Sequence, residues 1–215
     1  MDKQSLGIDG CQKKNMERRS VTLKELRIDT GQEGDPKQSQ IIGYASVFDS
    51  WSEELGGSFP FREKVLPGAF AESIVHDDIR ALFNHDPNYV LGRNKSGTLE
   101  LAEDQKGLLV KITPPETQWA KDLLVSIQRG DITQMSFGFI VLEDIWTENK
   151  GADVRELLKV KLFDVSPVTF PAYSQTECNI RSAEEIYKNK PNKKSGQTVA
   201  FLKQKINLLK ENNNE

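Results

Sequence analysis

The chain has few cysteines, no long hydrophobic run and little excess charge. Each of these shortages excludes a class of protein. Cys11 and Cys178 are its only cysteines, so a disulfide framework is not expected and a reducing compartment is. No apolar run approaches the roughly 20 residues that a membrane-spanning helix needs. Residues 1–20 lack the apolar core of a secretory signal. The sequence therefore predicts no membrane partner.

Histidine is equally scarce, with only His76 and His85 in 215 residues. Together with two scattered cysteines they give no metal-ligand spacing, which makes a zinc hydrolase a poor hypothesis. His76 lies in a polar connection and is predicted to be a surface residue. We expect no metal and no cofactor.

The net charge of −3 is unevenly distributed along the chain. Residues 1–20 carry +2 and residues 182–215 carry +3, so residues 21–181 carry −8. An acidic body gives no electrostatic footprint for nucleic acid, and no nucleic-acid partner is expected. The Lys188–Lys194 cluster is typical of a solvated linker.

Short alternating apolar segments, the pattern of β-strands, fill most of residues 21–181. The clearest are Ile41–Phe48, Asp78–His85, Thr98–Glu103, Gly107–Ile112 and Val154–Phe163. Glu116–Gln128 has helical spacing, and Gly130 is placed to end that helix. The pattern predicts an α+β fold, a mostly antiparallel β-barrel or sandwich flanked by helices.

Composition divides the chain into three parts. Residues 1–20 are predicted to be a disordered leader, in which Met16 is an alternative start, and residues 21–181 form the main domain. Residues 182–215 are predicted to be a polar linker and a C-terminal amphipathic helix, Val199–Lys210. That helix either packs on the body or docks to a partner, and the linker is a candidate site of self-cleavage.

Ser136 lies in a stretch that follows the predicted helix, Gly130-Asp131-Ile132-Thr133-Gln134-Met135-Ser136-Phe137-Gly138-Phe139. A serine in this apolar strand is either an ordinary small residue or a nucleophile that faces a base. His85, at the end of a predicted strand, is either structural or that base.

Asp164 ends another strand, among Leu162, Phe163 and Val165. It is either a solvated or turn-capping acid or a buried carboxylate, and a buried carboxylate needs a partner such as a histidine N–H. The chain order His, Ser, Asp differs from those of chymotrypsin, subtilisin and the α/β-hydrolases, and no G-x-S-x-G elbow is present.

Four motifs, in order, resemble the prohead maturation proteases of tailed phages. The family's opening resembles Gly43–Phe48 followed by Phe61-Arg62-Glu63 and Leu66-Pro67-Gly68-Ala69-Phe70. Its histidine motif resembles Leu82–Asp86 with Leu91-Gly92-Arg93. Met135–Phe139 resembles its serine motif, and Asp164–Tyr173 resembles its third motif. The resemblance covers residues 21–182.

The resemblance implies a serine endopeptidase that is distantly related to herpesvirus assemblin and has a helix-ringed β-barrel. Its implied catalytic residues are Ser136 as nucleophile, His85 as general base and Asp164 as the orienting acid. Herpesvirus relatives place a second histidine at the third position, and family members often have Glu there. The implied substrates are scaffold, the scaffolding segment of the major capsid protein, and the protease itself.

The resemblance further implies a homo-oligomer that acts in the cytoplasm of the bacterial host, inside the assembling prohead. The alternative function is a catalytically inactive, scaffold-like assembly factor that retains a protease body. A serine-directed probe distinguishes the two, because the assembly factor would not react at Ser136.

Overall fold

The computed structural model describes residues 16–21, 26–30, 39–149, 151–170 and 177–190. Its strands are β1 (Glu17–Val21), β2 (Arg27–Asp29), β3 (Gln40–Val47), β4 (Phe61–Val65), β5 (Arg80–Phe83), β6 (Asp86–Arg93), β7 (Leu99–Glu103), β8 (Gly107–Ile112), β9 (Gln134–Asn149) and β10 (Ala152–Val168). Its α-helices are α1 (Ala71–His76), α2 (Gln118–Arg129) and α3 (Glu177–Lys188).

The larger sheet is built on β9 and β10, a long antiparallel pair. Its strand order is β1-β9-β10-β5-β6, and β4 also pairs with β10. The β10–β4 and β10–β5 pairs are parallel, and the others in this sheet are antiparallel. The β9–β10 pair therefore connects β1, β4 and β5, which come from distant parts of the chain.

The smaller sheet has the order β2-β3-β8-β7 and is antiparallel throughout. The β7–β8 hairpin turns at Asp104, whose Oδ1 accepts the backbone N–H groups of Lys106 and Gly107 at 2.8 and 3.0 Å. A side-chain acceptor of this kind replaces the missing backbone partners of a tight turn. The two strands predicted at Thr98–Glu103 and Gly107–Ile112 are thus present and pair as a hairpin.

Both sheets and α2 contribute to one hydrophobic core. Strand β9 supplies Phe137 and Phe139, whose stacked rings lie 4.7 Å apart, and Phe70 packs edge-on to Phe137 at 5.5 Å. Each such buried side chain contributes about 1.5–3 kcal/mol. Alternation then places Ser136 and Gly138 on the opposite face of β9 from Phe137 and Phe139.

The α+β class and the predominance of antiparallel strands are confirmed. In the described part of the chain the two sheets do not close on themselves, so a barrel is not shown. The predicted helix is α2, and it ends at Gly130, whose φ of 82° is left-handed. Glycine adopts that conformation without steric cost, which explains why the helix stops there.

Two predicted boundaries are wrong in the described residues. Residues 17–20, assigned to a disordered leader, belong to β1 and pair with β9. Helix α3 crosses the predicted boundary at residue 182 and packs through Ala183 and Tyr187 against Phe61 and Trp146. The predicted helix at 199–210 and residues 1–15 lie outside the described residues. None of the described helices is long and apolar enough to cross a membrane.

Candidate active site

Ser136 lies on β9 between the core residues Met135 and Phe137 and is only 1% exposed. It is paired on both sides, with Ser20 of β1 on one edge and Ser166 of β10 on the other. The strand is therefore held rigidly, and the hydroxyl direction is fixed by two neighbouring strands rather than by a loop.

His85 lies in the two-residue turn between β5 and β6. Asn84 and His85 have φ values of 53° and 57°, the left-handed conformation that a tight hairpin turn requires. Asn84 fastens the turn to the end of β10: its N–H donates to the Pro167 carbonyl at 3.0 Å, and its Oδ1 accepts the Thr169 N–H at 2.8 Å. The strand predicted at Asp78–His85 therefore ends too late: β5 stops at Phe83, and residues 86–88, whose composition predicts the closing turn, begin β6.

Asp164 lies on β10 opposite Gly138, next to an irregularity in the β9–β10 register. A Cβ atom at Gly138 would lie 2.3 Å from Asp164 Oδ2, so only glycine leaves room for the carboxylate. Ser166 Oγ donates to Asp164 Oδ1 at 2.9 Å. The carboxylate is therefore positioned by the space above Gly138 of β9 and by the hydrogen bond from Ser166 of β10.

These three side chains, which are separated by 51 and 79 residues in sequence, form one line of hydrogen bonds. His85 Nδ1 lies 2.5 Å from Asp164 Oδ1, and His85 Nε2 lies 2.7 Å from Ser136 Oγ. The imidazole and carboxylate side chains are 8% and 9% exposed. We call Asp164, His85 and Ser136 the relay.

The carboxylate partner selects one form of the neutral imidazole. Asp164 accepts a hydrogen bond from Nδ1–H, so the ring proton stays on Nδ1 and Nε2 is the acceptor that faces the Ser136 hydroxyl. A base in contact with a serine hydroxyl can remove its proton as the oxygen attacks an electrophile, and the carboxylate stabilises the imidazolium that forms. The arrangement is therefore chemically suited to acyl transfer.

The remaining sequence candidates lie elsewhere or outside the description. His76 is exposed at the end of α1. Cys11 is outside the described residues. In the described part of the chain, no three His, Cys, Asp or Glu side chains are grouped as metal ligands.

Sequence reasoning assigned no role to Asn84, Gly138 or Ser166. The available signal was small: Gly138 and Ser166 lie two residues from Ser136 and Asp164, on the same strand faces. A pairing register was needed to place Gly138 opposite Asp164.

A second buried polar group, the ion-pair cluster, consists of Glu17, Arg19, Glu63, Asp144 and Arg155. Arg155 donates to Glu17 at 3.0 Å, to Asp144 at 2.7 Å and to Glu63 at 3.3 Å. Arg19 donates through Nη2 to Glu17 at 2.7 Å and to Glu63 at 3.2 Å, and its Nε donates to Glu63 Oε1. The cluster thus links β1, β4, β9 and β10.

Burial and charge act in opposite directions on this cluster. Burial raises the pKa of Glu63, but the charges of Arg19 and Arg155 and their hydrogen bonds outweigh it and hold that pKa below its usual value. Burial lowers the pKa of Arg155, but the negative charges of Glu17 and Glu63 raise it by a larger amount, so the net shift of this pKa is upward. The charged forms of both residues are therefore favoured.

Comparison with known proteins identifies the chain's relatives. The sequence model of the caudovirus prohead serine protease family matches residues 24–190. The prohead protease of Enterobacteria phage HK97 is 33% identical over 147 residues, which are 66% of this chain and 60% of that protein. The chain thus matches less than two thirds of that relative's length.

A solved structure, the bacteriophage T4 capsid assembly protease gp21, is a more remote match. It has 10% identity and a TM-score of 0.47, and the match covers 72% of this chain and 96% of that one. The family model covers more than three quarters of the present chain, and all three relay residues lie inside it. The chain belongs to the caudovirus prohead serine protease family.

Proposed function

We propose that this protein is a serine endopeptidase in which Ser136 is the nucleophile, His85 the general base and Asp164 the residue that orients His85. The observation that carries the proposal is the unbroken relay, with contacts of 2.5 and 2.7 Å. Family membership supports peptide hydrolysis as the reaction.

In the first half of the reaction, Ser136 Oγ bonds to the substrate carbonyl carbon as its proton passes to His85 Nε2. The imidazolium then donates that proton to the leaving amine, and the C–N bond breaks. In the second half, water attacks the acyl-enzyme, His85 takes one water proton, and the proton returns to Ser136 Oγ as the acid product leaves. Asp164 accepts the Nδ1 hydrogen bond throughout.

The proposed substrates are the scaffold or the scaffolding segment of the major capsid protein, and the protease itself. The proposed place of action is the interior of the assembling prohead in the bacterial host, where the enzyme works as a homo-oligomer. Membership of the prohead serine protease family, and 33% identity to a prohead protease, support this setting.

A fluorophosphonate probe tests the proposed chemistry. Its phosphorus bonds to an activated serine oxygen as fluoride leaves, and the hydroxyl proton passes to the base. After prolonged incubation of the full chain, mass spectrometry should find the adduct on Ser136, and His85→Ala should lose it. Exposed Ser96 is an internal control that should remain unlabelled. If Ser136 never reacts, the chain acts as an assembly factor instead.

A further inference from the structure

Strand β1 occupies the edge of β9 that carries Ser136. The pairing is antiparallel, with Arg19 opposite Phe137 and Ser20 opposite Ser136. Strand β1 ends at residue 21, whereas the family match begins at residue 24. The strand that covers the nucleophile therefore lies outside the segment that the family model describes.

The cover makes a direct contact with the nucleophile. Ser136 Oγ donates to the backbone carbonyl of Arg19 at 2.9 Å. A hydroxyl has one proton, and here two acceptors, that carbonyl and His85 Nε2, lie within reach of it. While β1 is in place, the Arg19 carbonyl competes with His85 Nε2 for the hydroxyl proton of Ser136. The carbonyl group presents its oxygen, rather than its carbon, to Ser136 Oγ. The Arg19–Ser20 bond is therefore held without being attacked.

The side chain of Arg19 is bound as a ligand would be. Its Nε and Nη2 donate to the two carboxylate oxygens of Glu63, the two-pronged geometry that distinguishes arginine from lysine. Its guanidinium also lies 5.8 Å from the centre of the Phe139 ring. Glu63 itself is 3% exposed.

The charges that remain without β1 favour a cation in the same place. Removal of β1 takes away Glu17 and Arg19, which together are neutral. Glu63, Asp144 and Arg155 stay behind on β4, β9 and β10 with a net charge of −1. The backbone groups of β9 that pair with β1 would then face solvent, and an extended peptide can bind such an edge as an added strand.

We propose that β1 stands in for the substrate: an extended peptide replaces it antiparallel to β9, and Glu63 binds an arginine side chain on the acyl side of the scissile bond. This inference rests on the proposed function, because it assigns the nucleophilic role to Ser136. Until a substrate displaces it, β1 keeps Ser136 covered.

Labelling rates of the full chain test the cover. Arg19→Ala should react with the fluorophosphonate at least about tenfold faster than wild type, because β1 loses its two-pronged anchor. Arg19→Lys keeps the charge without the fork, and its rate should be intermediate. Arg18→Ala, a change to the exposed neighbour on the same strand, should stay within about twofold of wild type.

A competition experiment tests the arginine preference. A synthetic peptide with the sequence of residues 16–22 should slow the labelling of Arg19→Ala, and the same peptide with alanine in place of Arg19 should not. Thermal unfolding checks that each variant folds; if Arg19→Ala does not fold, Arg19→Lys serves for both measurements.

The outcomes separate this inference from the proposed function. Faster labelling of the Arg19 variants together with selective protection by the arginine peptide supports both. Labelling of Ser136 at one rate in all variants, or equal protection by the two peptides, overturns the inference and leaves the proposed function standing. No labelling of Ser136 in any variant overturns the proposed function, and the inference with it.

Discussion

The relay and the ion-pair cluster are two buried polar groups on the same pair of strands, but they are built differently. The relay is a line of one carboxylate, one imidazole and one hydroxyl. The cluster instead contains three carboxylates that form ion pairs with two guanidinium groups. No buried side-chain N or O atom in the described residues lacks a hydrogen-bond partner. Complete satisfaction of this kind is what allows polar groups to be buried.

The difference indicates what each group contributes. The relay has a base that faces a hydroxyl, so a change in it should reduce the reaction rate far more than the stability. The cluster has no acceptor base near a nucleophile, and its charges link strands that are distant in sequence. Loss of one partner there leaves a buried charge uncompensated, which costs stability. Three changes, from the largest expected effect to the smallest, test this contrast.

Asp164→Asn should lower the cleavage rate by about 10³–10⁴-fold with only a small change in stability. The asparagine amide can donate to Nδ1, which favours the tautomer with its proton on Nε2 and leaves no base facing Ser136. The measurement is the initial rate of capsid-protein cleavage. Asp131→Asn, at an exposed position after α2, is the matched control. A near-normal rate for Asp164→Asn would mean that the carboxylate is only structural.

Arg155→Met should destabilise the protein by about 3–5 kcal/mol, because the buried Glu17 and Glu63 would share the one remaining guanidinium and Asp144 would lose its arginine partner. Urea unfolding followed by tryptophan fluorescence measures this change. Arg129→Met removes an arginine whose side chain is 70% exposed, and it should cost less than about 1 kcal/mol. Equal stability of the two variants would contradict the structural role of the cluster.

Glu63→Gln should show a pH-dependent cost. Burial raises the pKa of Glu63, but the charges of Arg19 and Arg155 outweigh burial and hold the folded-state pKa below its ordinary value of 4.5. Glu17 is the other carboxylate that bonds to Arg19. Its stabilising contribution is therefore present above pH 4.5 and is lost as the pH falls toward the folded-state pKa. The stability difference from wild type should shrink below pH 4.5 by up to about 1.4 kcal/mol per pH unit.

Unfolding curves of wild type and Glu63→Gln between pH 3 and pH 7 would check this prediction. Glu103 offers an internal contrast: burial raises its pKa, although the backbone N–H groups of Phe70 and Gly68 oppose this effect. Its contribution therefore changes with the opposite sign, and Glu103→Gln should not reproduce the Glu63 profile. A difference between wild type and Glu63→Gln that stays constant with pH would show that Glu63 is not held as an anion.

The same contrast explains what could be predicted from the sequence. Alternation located the strand of Ser136, and the helical spacing before Gly130 located α2, because both signals are local. The three relay residues are candidates because of their positions in the predicted strands, and the motif resemblance implies their roles. The structure brings their side chains together; their catalytic roles are the proposal made above.

The ion-pair cluster was not predicted, because its partners are up to 138 residues apart and no local pattern joins them. Arg18 and Arg19 lie in the stretch predicted to be a disordered leader, because residues 1–20 have no apolar core. The turn at Asn84 and His85 was missed for a related reason: Asp86-Pro87-Asn88 has the stronger local turn composition. Hydrogen bonds from Asn84 to the end of β10 determine the actual position.

Co-expression with the phage's own major capsid protein, read as a size shift on a gel, tests the central claim most directly. Wild type should shorten the capsid protein. Ser136→Ala should leave it at full length, since loss of an activated nucleophile costs several orders of magnitude. Ser126→Ala, whose hydroxyl bonds within α2, should behave as wild type. Cleavage by Ser136→Ala at the wild-type rate would contradict the account.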